Sequence, residues 1–344
     1  MSDLNINNIT DRTGGSGPVI AGISTVTSTG AFTVPVGPTE MRGGRGRAVF
    51  AGGYGASSPG ARNTLDYIEI ATTGNAVDFG DLTLARYNLA ACASSTRGIF
   101  AGGRTENPSG QNLNRIDFVT VSSQGGASDF GDFPAVVQAL GGASNQTRGI
   151  FAGGRPADNS AVGVDTINFI TIASTGDTSD FGDLLSKRMG AYGMSSPTRA
   201  LFVGGYSAPL GTNVIQYVEI ATTGNAVEFG NISSGIFYYI ASANSQTRGT
   251  YTGNTPSYVN TIEYVTMATK GNSQDFGDLT QVRGLGGGTS NSVRGVLGGG
   301  YNPGREVTID YWTIASTGNA TDFGDLTLGR SSNTACGDAQ GGIG

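Results

Sequence analysis

The side chains able to do chemistry in this 344-residue chain are carboxylates, arginines and tyrosines, because it has no histidine, two cysteines and one tryptophan. Without histidine, Ser-His-Asp, Cys-His and histidine–metal chemistry are excluded. Cys92 and Cys336 are too few for a disulfide framework or a zinc site, and both read as small buried core residues. What remains is a series of aspartate pairs: Asp78 and Asp81, Asp180 and Asp183, Asp322 and Asp325. Such pairs could hold Ca²⁺ or serve as an acid and a base. They lack the dense oxygen spacing of a calcium loop. They also recur at one position of a repeat, which marks scaffold; turn capping, and pairing with the repeated arginine of the blade or with Arg86, Arg188, Arg283 and Arg330, is the expected role. No carboxylate pair stands apart from the repetition. No catalytic residue, metal ligand or cofactor is therefore assigned.

The elements that carry these residues repeat. Arg97-Gly98-Ile99-Phe100-Ala101-Gly102-Gly103 has copies starting at Arg47, Arg148 and Arg199 and looser ones at Arg248 and Arg294. A period of about 50 residues is that of a propeller or solenoid. Each unit reads as four short strands: the Arg strand ending in Gly-Gly, an alternating strand such as Ile116–Val121, an Asp-Phe-Gly-Asp strand centred on Phe79, Phe130, Phe181, Phe229, Phe276 or Phe323, and a small-residue strand such as Val136–Ser144. The turn Thr73-Gly74-Asn75 and its copies supply the positive φ of a tight hairpin. Tyr67, Tyr217, Tyr264 and Tyr311 recur in the third strand and read as packing between blades. Trp312, on the opposite face of its strand from Tyr311, reads as a packing or contact residue. The first unit lacks the small-residue strand, and Ser331–Cys336 supplies a surplus copy at the other end. The expected fold is all-β: a six-bladed propeller over residues 41–344, closed by its C-terminal strand.

Residues 1–40 stand outside the repeat. They form a β-prone arm too short to bury a core alone, expected to order by adding to another subunit or to an edge of its own domain. Ile6, Ile9, Val19, Ile20 and Phe32 are its docking candidates. The net charge is −6 and the basic residues are scattered, which argues against nucleic acid as partner. No apolar run reaches the ~20 residues needed to span a bilayer. The start has no basic region followed by an apolar run, so no signal peptide is expected.

Gly52-Gly53 or Gly102-Gly103, Tyr67, Phe79 and Arg86 stand in the order of the kelch motif, and residues ~45–337 resemble kelch-type repeats, with Phe where that family carries Trp. The Asn-rich arm, the Thr/Ser/Gly-rich linker and phrases such as Ile314–Leu326 resemble virion proteins of tailed bacteriophages, especially those infecting marine cyanobacteria. That resemblance implies a non-enzymatic virion structural protein. Its arm docks to other virion proteins, and its propeller, oligomeric in the particle, is displayed as a tail, fibre or neck appendage for host attachment or decoration. A glycan-processing enzyme or a kelch-type protein-interaction module are the alternatives. The loops after each di-glycine differ in length and composition while the scaffold repeats, and loops carry function on rigid scaffolds. Tyr54, Arg104, Arg155, Tyr206 and Tyr301 lead them and are the candidate contacts for a host glycan or protein.

Overall fold

The run Arg-Gly-Ile-Phe-Ala is apolar without alternation because both of its faces are covered. A computed structural model describes residues 46–106, 110–157, 161–234, 239, 241–254 and 257–339. Among them there is no helix, and six antiparallel units form a six-bladed β-propeller, five of four strands and one extended to five by Arg155–Pro156. The second strands are Arg47–Ala51, Arg97–Ala101, Arg148–Ala152, Arg199–Val203, Arg248–Thr252 and Arg294–Gly298, defining blades 1 to 6. Their apolar side chains are buried between neighbouring blades. The arm candidates Ile6, Ile9, Val19, Ile20 and Phe32 lie outside the described residues.

The ring closes as the repeat count requires. Thr334–Gly337 is the inner strand of blade 1, with Cys336 opposite Val49 and Ala335 opposite Phe50. The other five inner strands precede their blades in the chain. Inner strands are small because they converge on the axis: a Cβ on Gly142 would sit 2.3 Å from the Ala91 carbonyl oxygen, and one on Gly193 would sit 2.2 Å from that of Gly142. Tyr192 of blade 4 reaches across the axis, its hydroxyl 3.4 Å from Thr334 Oγ1 of blade 1.

Blade-to-blade packing follows a size rule. The third inner-strand residue of one blade sits over the residue after the opening arginine of the next. Where the first is large, the second is glycine: a Cβ on Gly98 would meet Cys336 Sγ at 2.8 Å, on Gly149 Cys92 Sγ at 2.6 Å, and on Gly249 Met194 Sδ at 2.1 Å. Where the first is small, the second has a Cβ, as with Ala143 and Ala200 in one core cluster. In blade 6 the space over Gly295 is taken by Trp312, whose Nε1 donates to Thr250 Oγ1 of blade 5 at 3.1 Å. Trp312 is thus a buried packing residue. Cys92 and Cys336 are both free and buried, and burial raises both thiol pKa values. Gly149→Ala is expected to cost about 1–3 kcal/mol by overpacking. Adding Cys92→Ala should recover most of that loss, since the pair then matches Ala143 and Ala200; chemical denaturation of the two single variants and the double variant reads the coupling.

The opening arginines are clamps. Each guanidinium lies over the third-strand aromatic of its own blade, from 4.3 Å for Arg248 over Tyr264 to 4.9 Å for Arg148 over Phe169 and Arg199 over Tyr217. Its Nη1 donates to a carbonyl of the next blade, as from Arg47 to Val121 at 3.0 Å and from Arg294 to Ala71 at 2.9 Å. The third-strand rings pack edge-on against the Asp-Phe-Gly-Asp phenylalanine of their own blade, Tyr67 on Phe79 at 5.9 Å. Their stacking is therefore within blades, and the arginine carries it across.

The Thr-Gly-Asn segment does not close the expected tight hairpin. In blade 1 the strands end at Glu69 and resume at Val77. The intervening segment pairs with the neighbouring blade: Gly74 N–H donates to Phe323 O at 2.8 Å, and Asn75 Oδ1 accepts from Asp325 N–H at 3.1 Å. Equivalent bonds join Gly125 to Phe79, Gly176 to Phe130, Gly224 to Phe181, Gly271 to Phe229 and Gly318 to Phe276. The two most repetitive phrases of the chain repeat because they mate with each other.

The buried arginines do not pair with the Asp-Phe-Gly-Asp aspartates, which are largely exposed. Their partners are third-strand aspartates of the next blade: Arg86–Asp117 at 3.0 Å, Arg283–Asp310 at 2.9 Å and Arg330–Asp66 at 2.9 Å, with every one of these side chains 0% exposed. Thr83, Thr280 and Thr327 donate backbone and hydroxyl hydrogens to the same carboxylates. In a blade both sheet faces meet protein, so the polar half of an alternating strand is also buried. The remaining junctions differ in charge. Arg188 is met by carbonyls and by Ser186, while Gln216 occupies the aspartate position. Burial lowers the Arg188 pKa to about 10. At the junction of blades 2 and 3, Val137 and Asn168 stand in for arginine and aspartate.

Candidate binding face

The axis itself offers little room. Six residues, one per blade, adopt the left-handed conformation: Asn88, Ala139, Gly190, Tyr239, Leu285 and Ser332, with φ between 54° and 65°. Five are not glycine, a strained choice. Their backbones form a closed ring in which each N–H donates to the carbonyl of the previous member: Ala139 to Asn88, Gly190 to Ala139, Tyr239 to Gly190, Leu285 to Tyr239, Ser332 to Leu285 and Asn88 to Ser332, at 2.7–3.3 Å. The cavity they surround is about 30 Å³, room for a single water.

The loops that leave the di-glycine pairs carry the five candidate contact residues. The di-glycines are needed because both residues take positive φ and a carbonyl crowds each: a Cβ on Gly52 would lie 2.5 Å from Arg86 O, and one on Gly53 2.9 Å from Ser331 O. The residue that follows pairs with the segment entering the same blade: Tyr54 with Ser331, Arg104 with Tyr87, Arg155 with Gln138, Tyr206 with Met189 and Tyr301 with Gly284. These five leading residues thus occupy one structural position on five blades.

The structure brings two of the five together. Arg305 Cζ lies 5.0 Å from the centroid of Tyr54 and 5.7 Å from that of Tyr301, and its Nε donates to Tyr54 O at 3.2 Å. Tyr54 meets Tyr87 edge-on at 5.2 Å, and Tyr301 meets Tyr258 at 5.7 Å. The result is an arc of half-buried side chains, Tyr258, Tyr301, Arg305, Tyr54 and Tyr87, drawn from blades 5, 6, 1 and 2. Arg104 adjoins the arc, its backbone bonded to that of Tyr87 at 2.8 and 3.0 Å. Arg305, Tyr87 and Tyr258 escaped the sequence reading. The signal for Tyr87 was its place after the repeated arginine, where other blades carry Met189, Gly284 or Ser331.

Glu106 locks one end of the arc. Its carboxylate accepts from Tyr54 Oη at 3.0 Å, from Ala61 N–H at 3.0 Å and from Gly60 N–H. Gly60 lies beneath the Tyr54 ring, where a Cβ would come within 2.3 Å of it. The Ala61 N–H bond, opposed by burial and aided by the Tyr54 and Gly60 bonds, holds the Glu106 carboxyl below its ordinary 4.5. The bond to Glu106, with burial, raises Tyr54 above its ordinary 10.0. A depressed carboxyl stabilises the fold fully above its unfolded value and loses that effect as pH falls through the folded one. A raised phenol stabilises it below its own unfolded value and loses that effect only as pH rises through the folded one. The clamp is therefore expected to hold between 4.5 and 10.0. Amide exchange at Gly60 and Ala61 should accelerate beyond its intrinsic pH trend as acid protonates Glu106, and Glu106→Gln should abolish that step.

Among the described residues no group of three or more Asp, Glu, Cys or His is placed to hold a metal ion. No protein-family model matches the chain, and no curated protein matches its sequence.

Proposed function

We propose that this chain is a non-enzymatic structural protein of a tailed-phage virion, held in the particle by residues 1–40 and present in several copies. Its propeller is displayed outward for attachment to the host surface. The observation that carries the reading is the division of labour in the repeat. Clamps, knobs and ion pairs recur around the ring, while the di-glycine loops diverge in sequence and bring aromatic and arginine side chains together, as at Tyr54, Tyr301 and Arg305. A rigid scaffold with a variable loop face suits recognition. The phage context comes from the resemblance of the arm, the linker and the repeat phrases.

The test is deletion of residues 1–40. The shortened chain should fold and melt like the full one, yet be missing from purified particles. Particles that incorporate the armless chain at normal copy number would overturn the docking role. Purified full chain should also compete with particles for adsorption to host cells, and absence of competition would count against the attachment role.

A further inference from the structure

We infer that the Tyr258–Tyr301–Arg305–Tyr54–Tyr87 arc is a binding site for an acidic sugar, one that carries a carboxylate or a sulfate on its ring; the inference rests on the reading of this face as the one that meets the host. The argument begins with what Arg305 does not do. The six opening arginines also lie over aromatic rings, but each uses Nη1 on carbonyls of the next blade. Arg305 uses only Nε, toward Tyr54 O. Among the described residues no carboxylate lies within ion-pair distance of it. Among the described residues its two terminal nitrogens make no hydrogen bond, and the side chain is half-buried.

A guanidinium 5.0 Å from one tyrosine ring centre and 5.7 Å from another, with its terminal nitrogens uncommitted among the described residues, can serve as an anion receptor. Its planar fork matches a carboxylate or sulfate through two parallel hydrogen bonds. The neighbouring rings strip part of its water, which strengthens the charge-assisted bonds. The tyrosines add what a sugar ring requires, apolar surface with a polar edge. The hydroxyls of Tyr87, Tyr258 and Tyr301 have no partner among the described residues, so they remain available to sugar hydroxyls. Tyr54 is different, since Glu106 holds its hydroxyl and sets its ring in place. A long polyphosphate chain is a poorer match, because the arc presents one arginine on a chain of net charge −6.

The test titrates the full chain with a short oligogalacturonate, with its methyl ester, and with a sulfated neutral oligosaccharide, by calorimetry. Binding of the free acid or of the sulfated oligomer, with loss on esterification, is expected, and the stronger of the two identifies the anion. Arg305→Gln should weaken binding by about 10- to 100-fold, the loss of one charged hydrogen-bond pair. Its melting temperature should stay within about 2 °C of the parent, as for a surface change. If Arg305→Gln melts early, Arg305→Lys and Tyr87→Ala carry the test: the first keeps charge without the fork, the second removes a ring, and both should weaken binding. No binding of either anionic oligomer at ~10 mM, the weak end of specific affinity, would overturn the proposal. So would equal binding of the ester, unchanged affinity in Arg305→Gln, or saturation by a protein partner that leaves sugar binding undetectable. Any of these would leave docking through the arm untouched, since arm deletion reads that separately.

Discussion

Asp117→Asn is expected to lower stability by about 3–5 kcal/mol, among the largest effects available to a single isosteric change here. The carboxylate is fully buried against Arg86, and Thr83 donates to it from the neighbouring blade. Removing its charge leaves a guanidinium that is already short of partners at Nε and Nη1. Burial lowers the Arg86 pKa, and the Asp117 charge is the main influence that opposes this. Equilibrium denaturation measures the cost. Asp66→Asn and Asp310→Asn should behave alike, because Arg330 and Arg283 are placed in the same way. The chain also contains its own compensated version. At the junction of blades 2 and 3, Val137 and Asn168 replace the pair without charge. Adding Arg86→Val to Asp117→Asn should therefore recover a large part of the loss, since an unpaired buried charge costs more than a missing ion pair. A double variant no more stable than Asp117→Asn alone would contradict this account.

Ending the chain at Arg330 should abolish cooperative folding of the propeller. The truncation strips Thr334–Gly337 from Arg47–Ala51, takes Ala335 and Cys336 out of two core clusters and opens the axial ring at Ser332. It also removes Asp338, whose carboxylate accepts the Arg47 N–H at 2.8 Å. A marginally stable domain of about 5–15 kcal/mol cannot absorb losses from so many contacts at once. Circular dichroism melting should show no sharp transition. A peptide spanning residues 331–339, added in trans, should restore one. A truncated chain that melts within a few degrees of the full one would show that closure is dispensable.

Much of this fold is legible in the sequence because repetition compares the chain with itself. Six arginine strands count six blades, and a surplus inner strand at one end answers a deficit at the other. That logic needs only register, and register follows from strand periodicity. The covariation of Thr83 with Asp117, Thr280 with Asp310 and Thr327 with Asp66 is written in the sequence as well. It becomes readable once the partner of each arginine is known to lie one blade onward.

The remainder depended on which blade face meets which. Sequence pattern places Asp66 on a polar face and Asp78 beside a conspicuous phenylalanine, and it suggests the wrong one as the arginine's partner. The tertiary structure decided this, since both faces of a propeller sheet are covered and the polar face of the third strand is therefore interior. The same holds for the loop face. Types and spacing identify Tyr54, Arg104, Arg155, Tyr206 and Tyr301 as equivalent leaders of variable loops. Only the closing of the ring brings Tyr54, from the start of the repeat, against Arg305, 251 residues later. Repetition in the chain determined the fold, because each blade is a local pattern. The arc was decided by closure, a contact between the two ends of the repeat that no local pattern encodes.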